Sequence, residues 1–178
     1  MGSQILSVLS LEYSFLKSKR SQDIESCTDI LLDSYLGTYF TYEQAHSLLK
    51  SAASQNQLTI AVRIDDAKKV PVAFYVADPK GCFSVFPYLH LLAVKTSLRG
   101  QGLGTLLIKH FEKESLEAKG YPDRPKVFLL VTPHNPRALT LYENLGYSRE
   151  ATFTDMFGEG DTEYLMMKDL GYKPHRAG

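Results

Sequence analysis

The sequence predicts an α/β fold in which a central mixed β-sheet is flanked by helices. Short apolar segments between residues 58 and 86 are separated by brief polar turns, as is typical of antiparallel strands. Two further apolar segments, at 88–94 and 127–131, have a helical pattern between them, which predicts parallel strands joined by a crossover helix. A sheet that contains both kinds of pairing is mixed.

Composition sets the broad class. The 178 residues, 44% of them hydrophobic, predict a single domain over 1–178 with a sizeable core. Twenty basic and twenty acidic side chains balance, so charge gives no case for a nucleic-acid or membrane partner. Cys27 and Cys82 fit neither a disulfide framework nor a metal pattern, and no apolar run reaches the ~18 residues of a membrane span. We therefore expect a cytoplasmic protein without a metal.

The first third of the chain reads as one strand and two helices. Leu11–Leu16 alternates weakly and predicts a strand, and Ser21 is the expected N-cap of a helix near 22–35. Thr41 begins a capping-box pattern and predicts a second helix. The aromatic segment between the helices, residues 35–42, has two interpretations: it packs the helices together, which we favour, or it lines a pocket for an apolar acceptor.

Three strands are expected next. They are Leu58–Ile64, Pro71–Val76 and Cys82–Phe86, and a turn at Asp78–Gly81 separates the last two. This antiparallel meander leads into the central strand that ends at Val94.

A glycine loop follows the central strand. Gly100, Gly102 and Gly104 interrupt the chain directly before the apolar stripe of a helix that runs to about Lys119 and is ended by Gly120. Glycines let the backbone approach a ligand closely, and a helix start offers unpaired N–H groups and the positive end of its dipole. The loop therefore predicts a phosphate or pyrophosphate site, although its spacing is neither that of dinucleotide folds nor that of a Walker loop.

A short helix follows the buried strand at 127–131. Asn135 is its expected N-cap, Pro136 its first residue and Gly146 its end. Its expected buried stripe comprises Ala138, Leu141, Tyr142 and Leu145. Two strands, Ser148–Phe153 and Glu163–Lys168, complete the sheet.

Two motifs in this half of the chain resemble a known family. Arg99-x-x-Gly102-x-Gly104 resembles the pyrophosphate signature of the GCN5-related N-acetyltransferases, the GNAT superfamily. The segment Asn135–Tyr147 resembles the N-x-x-A-x-x-L-Y-E-x-x-G-F/Y segment of the same superfamily. The resemblance covers about residues 58–169. It implies the GNAT acyl-CoA N-acyltransferase fold, with acetyl-CoA as co-substrate.

The resemblance also implies which residues bind the donor. The loop residues would cradle the pyrophosphate, the backbone of the strand would hold the pantetheine arm, and an N–H near Leu92 would polarise the thioester carbonyl. These cofactor-binding residues are Leu92, Ala93, Val94, Arg99, Gly100, Gln101, Gly102, Leu103, Gly104, Thr105 and Asn135. The side chain of Arg99 would either add charge or tie down the loop, and Asn135 would contact the coenzyme arm, cap its helix, or do both.

Two further residues are candidates for proton transfer. Tyr142 matches the family tyrosine that protonates the leaving thiolate. His90 is the candidate base, because the stretch from Tyr88 to Gly104 resembles arylalkylamine N-acetyltransferases, which carry a histidine at that place. Those enzymes have a second histidine where this chain has Tyr88, so a water chain to Glu163 is the competing route.

The resemblance implies an N-acetyltransferase that transfers acetyl from acetyl-CoA to a primary amine by direct attack in a ternary complex. Zero net charge and the aromatic segment favour a small amine over a peptide acceptor. The alternatives are a protein N-terminal or lysine acetyltransferase and a non-catalytic acyl-CoA sensor. A homodimer also stays open.

Overall fold

The computed structural model describes residues 12–118 and 125–171, which form a mixed sheet and four α-helices. The strands are β1 Tyr13–Lys17, β2 Leu58–Arg63, β3 Pro71–Cys82, β4 Phe86–Val94, β5 Lys126–Val131, β6 Ser148–Thr154 and β7 Thr162–Asp169. The helices are α1 Ser21–Leu32, α2 Tyr42–Ser54, α3 Leu103–Glu117 and α4 Pro136–Asn144, with 3₁₀ turns at Tyr35–Tyr39 and Thr96–Leu98. The strand order β1-β2-β3-β4-β5-β7-β6 confirms the predicted mixed sheet.

The chain divides into two compact units. The first comprises residues up to Ala77 together with Leu91–His110, and the second comprises Asp78–His90 together with the residues from Phe111 onward. In the first unit β1 pairs antiparallel with β2, and β2 with β3, as the meander predicted. Apolar side chains of α1 and α2 pack on this sheet in one cluster with Leu91 and Ala93 of β4.

The start of α1 differs from the prediction. The N-cap is Arg20, which makes no side-chain cap, and Ser21 is already helical. Asp23, 2% exposed, instead accepts hydrogen bonds from the Arg20 guanidinium at 2.8 Å and from the hydroxyl of Ser18. A carboxylate in the first turn suits the positive end of the helix dipole, so these bonds replace the expected serine cap.

The aromatic segment also differs from the favoured prediction. Tyr35, Tyr39 and Tyr42 are 37%, 51% and 48% exposed, whereas the partly buried Leu36 and Phe40 pack on the core. The tyrosines therefore do not pack the two helices together. The capping box that begins α2 is confirmed, since Thr41 and Gln44 exchange both bonds, at 2.9 and 3.3 Å.

The turn predicted at Asp78–Gly81 is wrong. β3 continues through these residues to Cys82, and the reversal lies at Phe83 and Ser84, whose φ angles are 53° and 57°. The expected strand at Cys82–Phe86 is therefore absent, and β4 begins at Phe86. A turn signal in the sequence has here been overridden by strand pairing within the sheet.

The second unit contains the other half of the sheet. β5 pairs antiparallel with β7, and β7 with β6. β4 pairs parallel with β5, Tyr88 opposite Phe128 and Leu89 opposite Leu129, which confirms the parallel crossover. β4 itself runs on to Val94.

The caps predicted for α4 are confirmed. The side chain of Asn135 accepts a hydrogen bond from the Ala138 N–H at 3.2 Å, and Pro136 is the first helical residue. At the other end, Gly146 has a φ of 88° and donates to the Glu143 carbonyl, while Tyr147 donates to the Tyr142 carbonyl at 3.1 Å. These two bonds form a Schellman motif.

Some sequence predictions are confirmed only in part or concern residues that the structure does not describe. In the predicted stripe of α4 only Tyr142 is buried, and the other three residues are half-buried. The predicted end of α3 at Gly120 and the first residues of the predicted N-terminal strand lie outside the described residues. Among the helices described, none is long and apolar enough to cross a membrane.

Candidate active site

The glycine loop lies between β4 and α3, as predicted. Gly100 and Gly102 have φ angles of 79° and 91°, in the left-handed region that disfavours any residue with a Cβ. Gly104 lies inside the first turn of α3. The two left-handed glycines therefore reverse the chain and direct the next segment into the helix.

The start of α3 leaves donors available. Leu106 N–H donates to the Gly102 carbonyl at 3.1 Å, which is the first hydrogen bond of the helix. The N–H groups of Leu103, Gly104 and Thr105 consequently have no acceptor within the helix. Leu103 is itself buried and fixes the position of this turn, so the loop has the form of an anion site.

The side chain of Arg99 ties down the loop, which is one of the two roles that the sequence left open. Its Nε donates to the Val94 carbonyl at 2.9 Å, and its Nη2 donates to the Asp33 carbonyl at 2.8 Å. The hydroxyl of Thr96 donates to the carboxylate of the same aspartate. The Asp33 carbonyl stands at the C-terminal end of α1, where a cation is favoured by the helix dipole.

The strand before the loop presents alternate residues to two faces. Leu91 and Ala93 are buried in the core of the first unit, and Val94 is also buried. Leu92, on the opposite face, is half-buried. The predicted contacts of Leu92–Val94 with the pantetheine arm use backbone groups. They therefore do not depend on which side chains these residues present to the two faces.

Tyr142 is buried in α4 with 8% of its surface exposed. Its ring meets that of Tyr147 edge-on, with 5.7 Å between the centroids and 61° between the planes. Burial raises the pKa of Tyr142 strongly, and its neighbour Tyr88 raises it further. The phenol is therefore protonated at neutral pH, as a general acid must be.

His90 lies beside Tyr88 on β4. Their ring centroids are 4.5 Å apart with 72° between the planes. His90 keeps an exposed surface, yet the protein around its ring reduces hydration and lowers its pKa, while the charge of Asp78 acts in the opposite direction. A lowered pKa leaves the imidazole unprotonated at neutral pH, as a general base must be.

Glu163, the competing proton acceptor, is a half-buried residue of β7. Desolvation raises the pKa of its carboxyl, the charge of Asp161 raises it further, and the neighbouring His134 lowers it. His134 is exposed, as predicted, and its backbone N–H donates to the Thr132 hydroxyl at 3.2 Å. A carboxyl with a raised pKa has the character of a base, so both routes keep a physical basis.

The cysteines lack the character of nucleophiles. Both thiols are buried, and burial raises the pKa of Cys27 and of Cys82. The reactive form of cysteine is the thiolate, which such surroundings disfavour. Within residues 12–118 and 125–171 no group of three or more His, Cys, Asp or Glu side chains could hold a metal ion.

The structure groups the predicted residues in two sets. The loop and Leu92–Val94 belong to the first unit, and Tyr142, His90 and Asn135 belong to the second. Sequence reasoning missed Asp33, which is 66 residues from the arginine that it binds, and no local pattern could have revealed it. It also undervalued Tyr88, although a spacing of two along a strand places Tyr88 and His90 on one face.

The structure is that of an α/β protein with an anion-type loop at the start of a helix, and comparison with a family model makes the class specific. The model of the acetyltransferase (GNAT) family matches residues 24–147, so the chain belongs to the GNAT acetyltransferase family. No curated protein matches the sequence.

Solved structures share the fold. An acetyltransferase-family protein from Desulfovibrio desulfuricans superimposes with a TM-score of 0.72 at 16% identity, covering 89% of this chain and 99% of that one. An aminoglycoside 6'-N-acetyltransferase complexed with coenzyme A gives 0.70 at 18% identity, covering 91% and 98%. A chain of the NatC complex bound to Gag peptide and CoA gives 0.67 at 20% identity, covering 90% and 99%. One of these neighbours is named for an aminoglycoside and another is bound to a peptide, so the fold alone does not select an acceptor.

Proposed function

We propose that this chain is an acetyl-CoA-dependent N-acetyltransferase that works as one domain and acetylates a primary amine by direct attack in a ternary complex. The observation that carries the proposal is the start of α3, where two left-handed glycines leave the N–H groups of the first turn available to an anion. Membership of the GNAT family and the coenzyme A bound to structural neighbours support a pyrophosphate as that anion.

The donor is held mainly by backbone groups. The N–H groups from Gly100 to Thr105 bind the pyrophosphate, and the backbone of Leu92–Val94 binds the pantetheine arm. Arg99 contributes indirectly, because its side chain is engaged by Val94 and Asp33 and so stiffens the loop. Asn135 caps α4 through its side-chain oxygen, which leaves its amide NH₂ to donate to the arm.

Proton transfer is assigned to the second unit. His90, or Glu163 through water, removes the proton that an amine of pKa ~10 carries at neutral pH. The amine nitrogen then forms a bond to the thioester carbon, and the carbon–sulfur bond breaks. Tyr142 donates its proton to the departing thiolate, the nitrogen loses its second proton to give the neutral amide, and that proton restores the phenol of Tyr142 through solvent. The buried cysteines take no part.

A small, partly apolar amine is the acceptor that we propose. The exposed Tyr39 and the partly buried Phe40 line a shallow depression on α2 together with the carboxylate of Glu43. Aromatic faces with one carboxylate suit an ammonium group on an apolar body. A protein N-terminus or lysine is the alternative acceptor, because a structural neighbour is bound to a peptide.

The test is an acceptor screen that measures thiol released from acetyl-CoA. We expect turnover with small amines, and a kcat lowered ~10²-fold or more in Tyr142→Phe, the usual range for loss of a general acid. Tyr13→Phe is the matched control, because Tyr13 is a buried tyrosine of β1. Turnover unchanged in Tyr142→Phe would remove the acid role and leave the enzyme.

A non-catalytic acyl-CoA sensor would behave differently. Such a protein would show a raised melting temperature with acetyl-CoA but would release no thiol with any amine or peptide. In either case Gly102→Glu should abolish the melting shift, because it places a Cβ and a negative charge where the pyrophosphate binds. No shift for the unmodified chain at saturating acetyl-CoA would refute donor binding.

A further inference from the structure

Tyr88 stands in contact with His90, the candidate base of the second unit. It shares one face of β4 with His90, while Leu89 between them is buried on the other face. Tyr88 also acts on the pKa of Tyr142 in α4, and Glu163 of β7 acts on the pKa of Tyr88. Tyr88 takes part in no step of the proposed reaction.

The ring of Tyr88 forms one boundary of the imidazole of His90. The two rings meet edge to face, with 4.5 Å between their centroids. Gly81 of β3 forms another boundary: a Cβ there would lie 3.3 Å from His90 Nε2 and 2.9 Å from Tyr88 Cβ. A ring bounded by an aromatic edge and by close backbone has few orientations available, so the direction of Nε2 depends on Tyr88.

The hydroxyl of Tyr88 faces other groups. The backbone N–H of Leu130 hydrogen-bonds to it, and Glu163 and Cys82 lie near enough to affect its ionisation. Desolvation and the charges of Cys82 and Glu163 raise the pKa of Tyr88 to about 12 against the opposing effect of the Leu130 N–H, so the hydroxyl stays neutral across the working range of an enzyme. It therefore adds no charge to the surroundings of His90.

We propose that Tyr88 is a positioning residue for His90, with its ring fixing the orientation of the imidazole. The catalytic meaning of this arrangement rests on the proposed function. The contacts themselves do not, so the two can be tested apart.

The ring and the hydroxyl can be removed separately. Tyr88→Phe keeps the ring beside His90 and deletes the hydroxyl, whereas Tyr88→Ala deletes both. The charged and titratable groups that act on or contact His90 are Asp78 on β3 and Tyr88 itself. Cys82 and Glu163 act in turn on Tyr88. Neither substitution alters these other groups, so a change at His90 reports the loss of the Tyr88 ring.

The experiment is an NMR titration of His90, whose signals are assigned by their loss in His90→Gln. We expect the His90 midpoint to be unchanged in Tyr88→Phe and to rise towards the ordinary value of ~6.5 in Tyr88→Ala, because the opened site rehydrates the imidazole. Tyr88→Leu, which fills part of the volume, should give an intermediate midpoint if Tyr88→Ala does not fold.

Kinetics supply the second readout. Tyr88→Ala should lower kcat several-fold with little change in KM for acetyl-CoA and should move the low-pH limb of kcat/KM to higher pH, whereas Tyr88→Phe should leave the position of that limb unchanged. A His90 midpoint that is the same in the unmodified chain, Tyr88→Phe and Tyr88→Ala or Tyr88→Leu would overturn the proposal. Midpoints that move as expected in a chain that acetylates no amine would instead refute the proposed function and leave the positioning relationship standing.

Discussion

The guanidinium of Arg99 donates to the Asp33 carbonyl at 2.8 Å, and so joins the phosphate-type loop to the end of α1. Its Nε holds the Val94 carbonyl at the end of β4 at 2.9 Å. One side chain therefore connects three elements of the first unit. Both acceptors are backbone carbonyls. No other natural side chain has the planar, forked set of N–H donors with which arginine reaches them both.

Loss of these bonds should destabilise the protein and weaken donor binding. Arg99→Met removes two charge-assisted hydrogen bonds and should lower the free energy of unfolding by about 1.5–3 kcal/mol, towards the lower end because the side chain is partly exposed. Urea unfolding measures the loss, and the melting shift with acetyl-CoA measures the effect on binding.

Asp33→Asn is the matched control for Arg99→Met. It removes an ion pair of 3.6 Å to a carboxylate that is 63% exposed and leaves the Thr96 hydroxyl an amide oxygen to donate to, while the backbone carbonyl still accepts the Arg99 bond. Exposed ion pairs contribute about 0–1 kcal/mol, so a small effect is expected. A loss as large as that of Arg99→Met would show that the charge pair, rather than the carbonyl bond, holds the loop.

Substitutions at two glycines in the left-handed region allow the effect of backbone strain to be measured separately from the effect on donor binding. Gly102 and Gly160 have φ angles of 91° and 83°, and a Cβ at Gly160 would meet nothing within 4 Å. Alanine at either site should cost about 1–2 kcal/mol of stability. Only Gly102→Ala should also reduce the melting shift produced by acetyl-CoA, and an equal reduction in Gly160→Ala would contradict the position of the donor site.

The pH dependence of the reaction follows from the surroundings of His90. A base must be unprotonated, so kcat/KM should rise with pH as His90 loses its proton. Desolvation lowers the pKa of His90, which puts the midpoint of this limb below the ordinary value of ~6.5. Asp78 favours the protonated form, so Asp78→Asn should move the midpoint further down.

Asp29→Asn is the control for Asp78→Asn, because Asp29 is an exposed residue of α1 in the other unit. Its pH profile should match that of the unmodified chain. If both variants keep the low-pH limb of kcat/KM and its midpoint is unmoved in Asp78→Asn, the group that titrates would be Glu163 rather than His90. Asparagine keeps the oxygen that accepts the Lys80 N–H at 2.8 Å, so the local backbone is preserved.

The features predicted best from the sequence are those that neighbouring residues determine. The capping box at Thr41, the Asn135 cap and the left-handed Gly146 each depend on bonds within a few residues, and all three are confirmed. The glycine loop was placed correctly for the same reason, since two residues that require φ > 0 can only form a turn there.

Features set by distant partners escaped prediction. Asp78–Gly81 carries a turn signal, yet strand pairing carries β3 through it, and the turn falls instead on Phe83 and Ser84. Ser21 has the chemistry of an N-cap, but Asp23 with Arg20 and Ser18 stabilises a start one residue earlier. In the candidate site, motifs indicated the loop and Tyr142, whereas Asp33 and the neighbours of Tyr88 depend on the folded chain.

A buried hydroxyl at Tyr147 gives a stability prediction of unusual sign. Within the described part of the chain, Tyr147 Oη is buried and makes no hydrogen bond of good geometry. Burial and the nearby Glu112, through its charge and a hydrogen-bond-type contact, raise the pKa of Tyr147, but both carboxylate oxygens of Glu112 already accept from Lys168 at 2.8 and 2.9 Å. The ring packs on Tyr142 and carries Lys168 Nζ at 5.6 Å from its centroid.

Tyr147→Phe should therefore leave the free energy of unfolding unchanged or raise it by up to about 1 kcal/mol, since it removes an unsatisfied buried group and keeps the ring. Tyr75→Phe is the matched comparison, because the buried Tyr75 hydroxyl lies 3.0 Å from His110 Nδ1. That substitution leaves a polar nitrogen without this partner and should cost about 1–3 kcal/mol. Urea unfolding of both variants gives the comparison, and an equal loss in the two would show that the Tyr147 hydroxyl has a partner in solution.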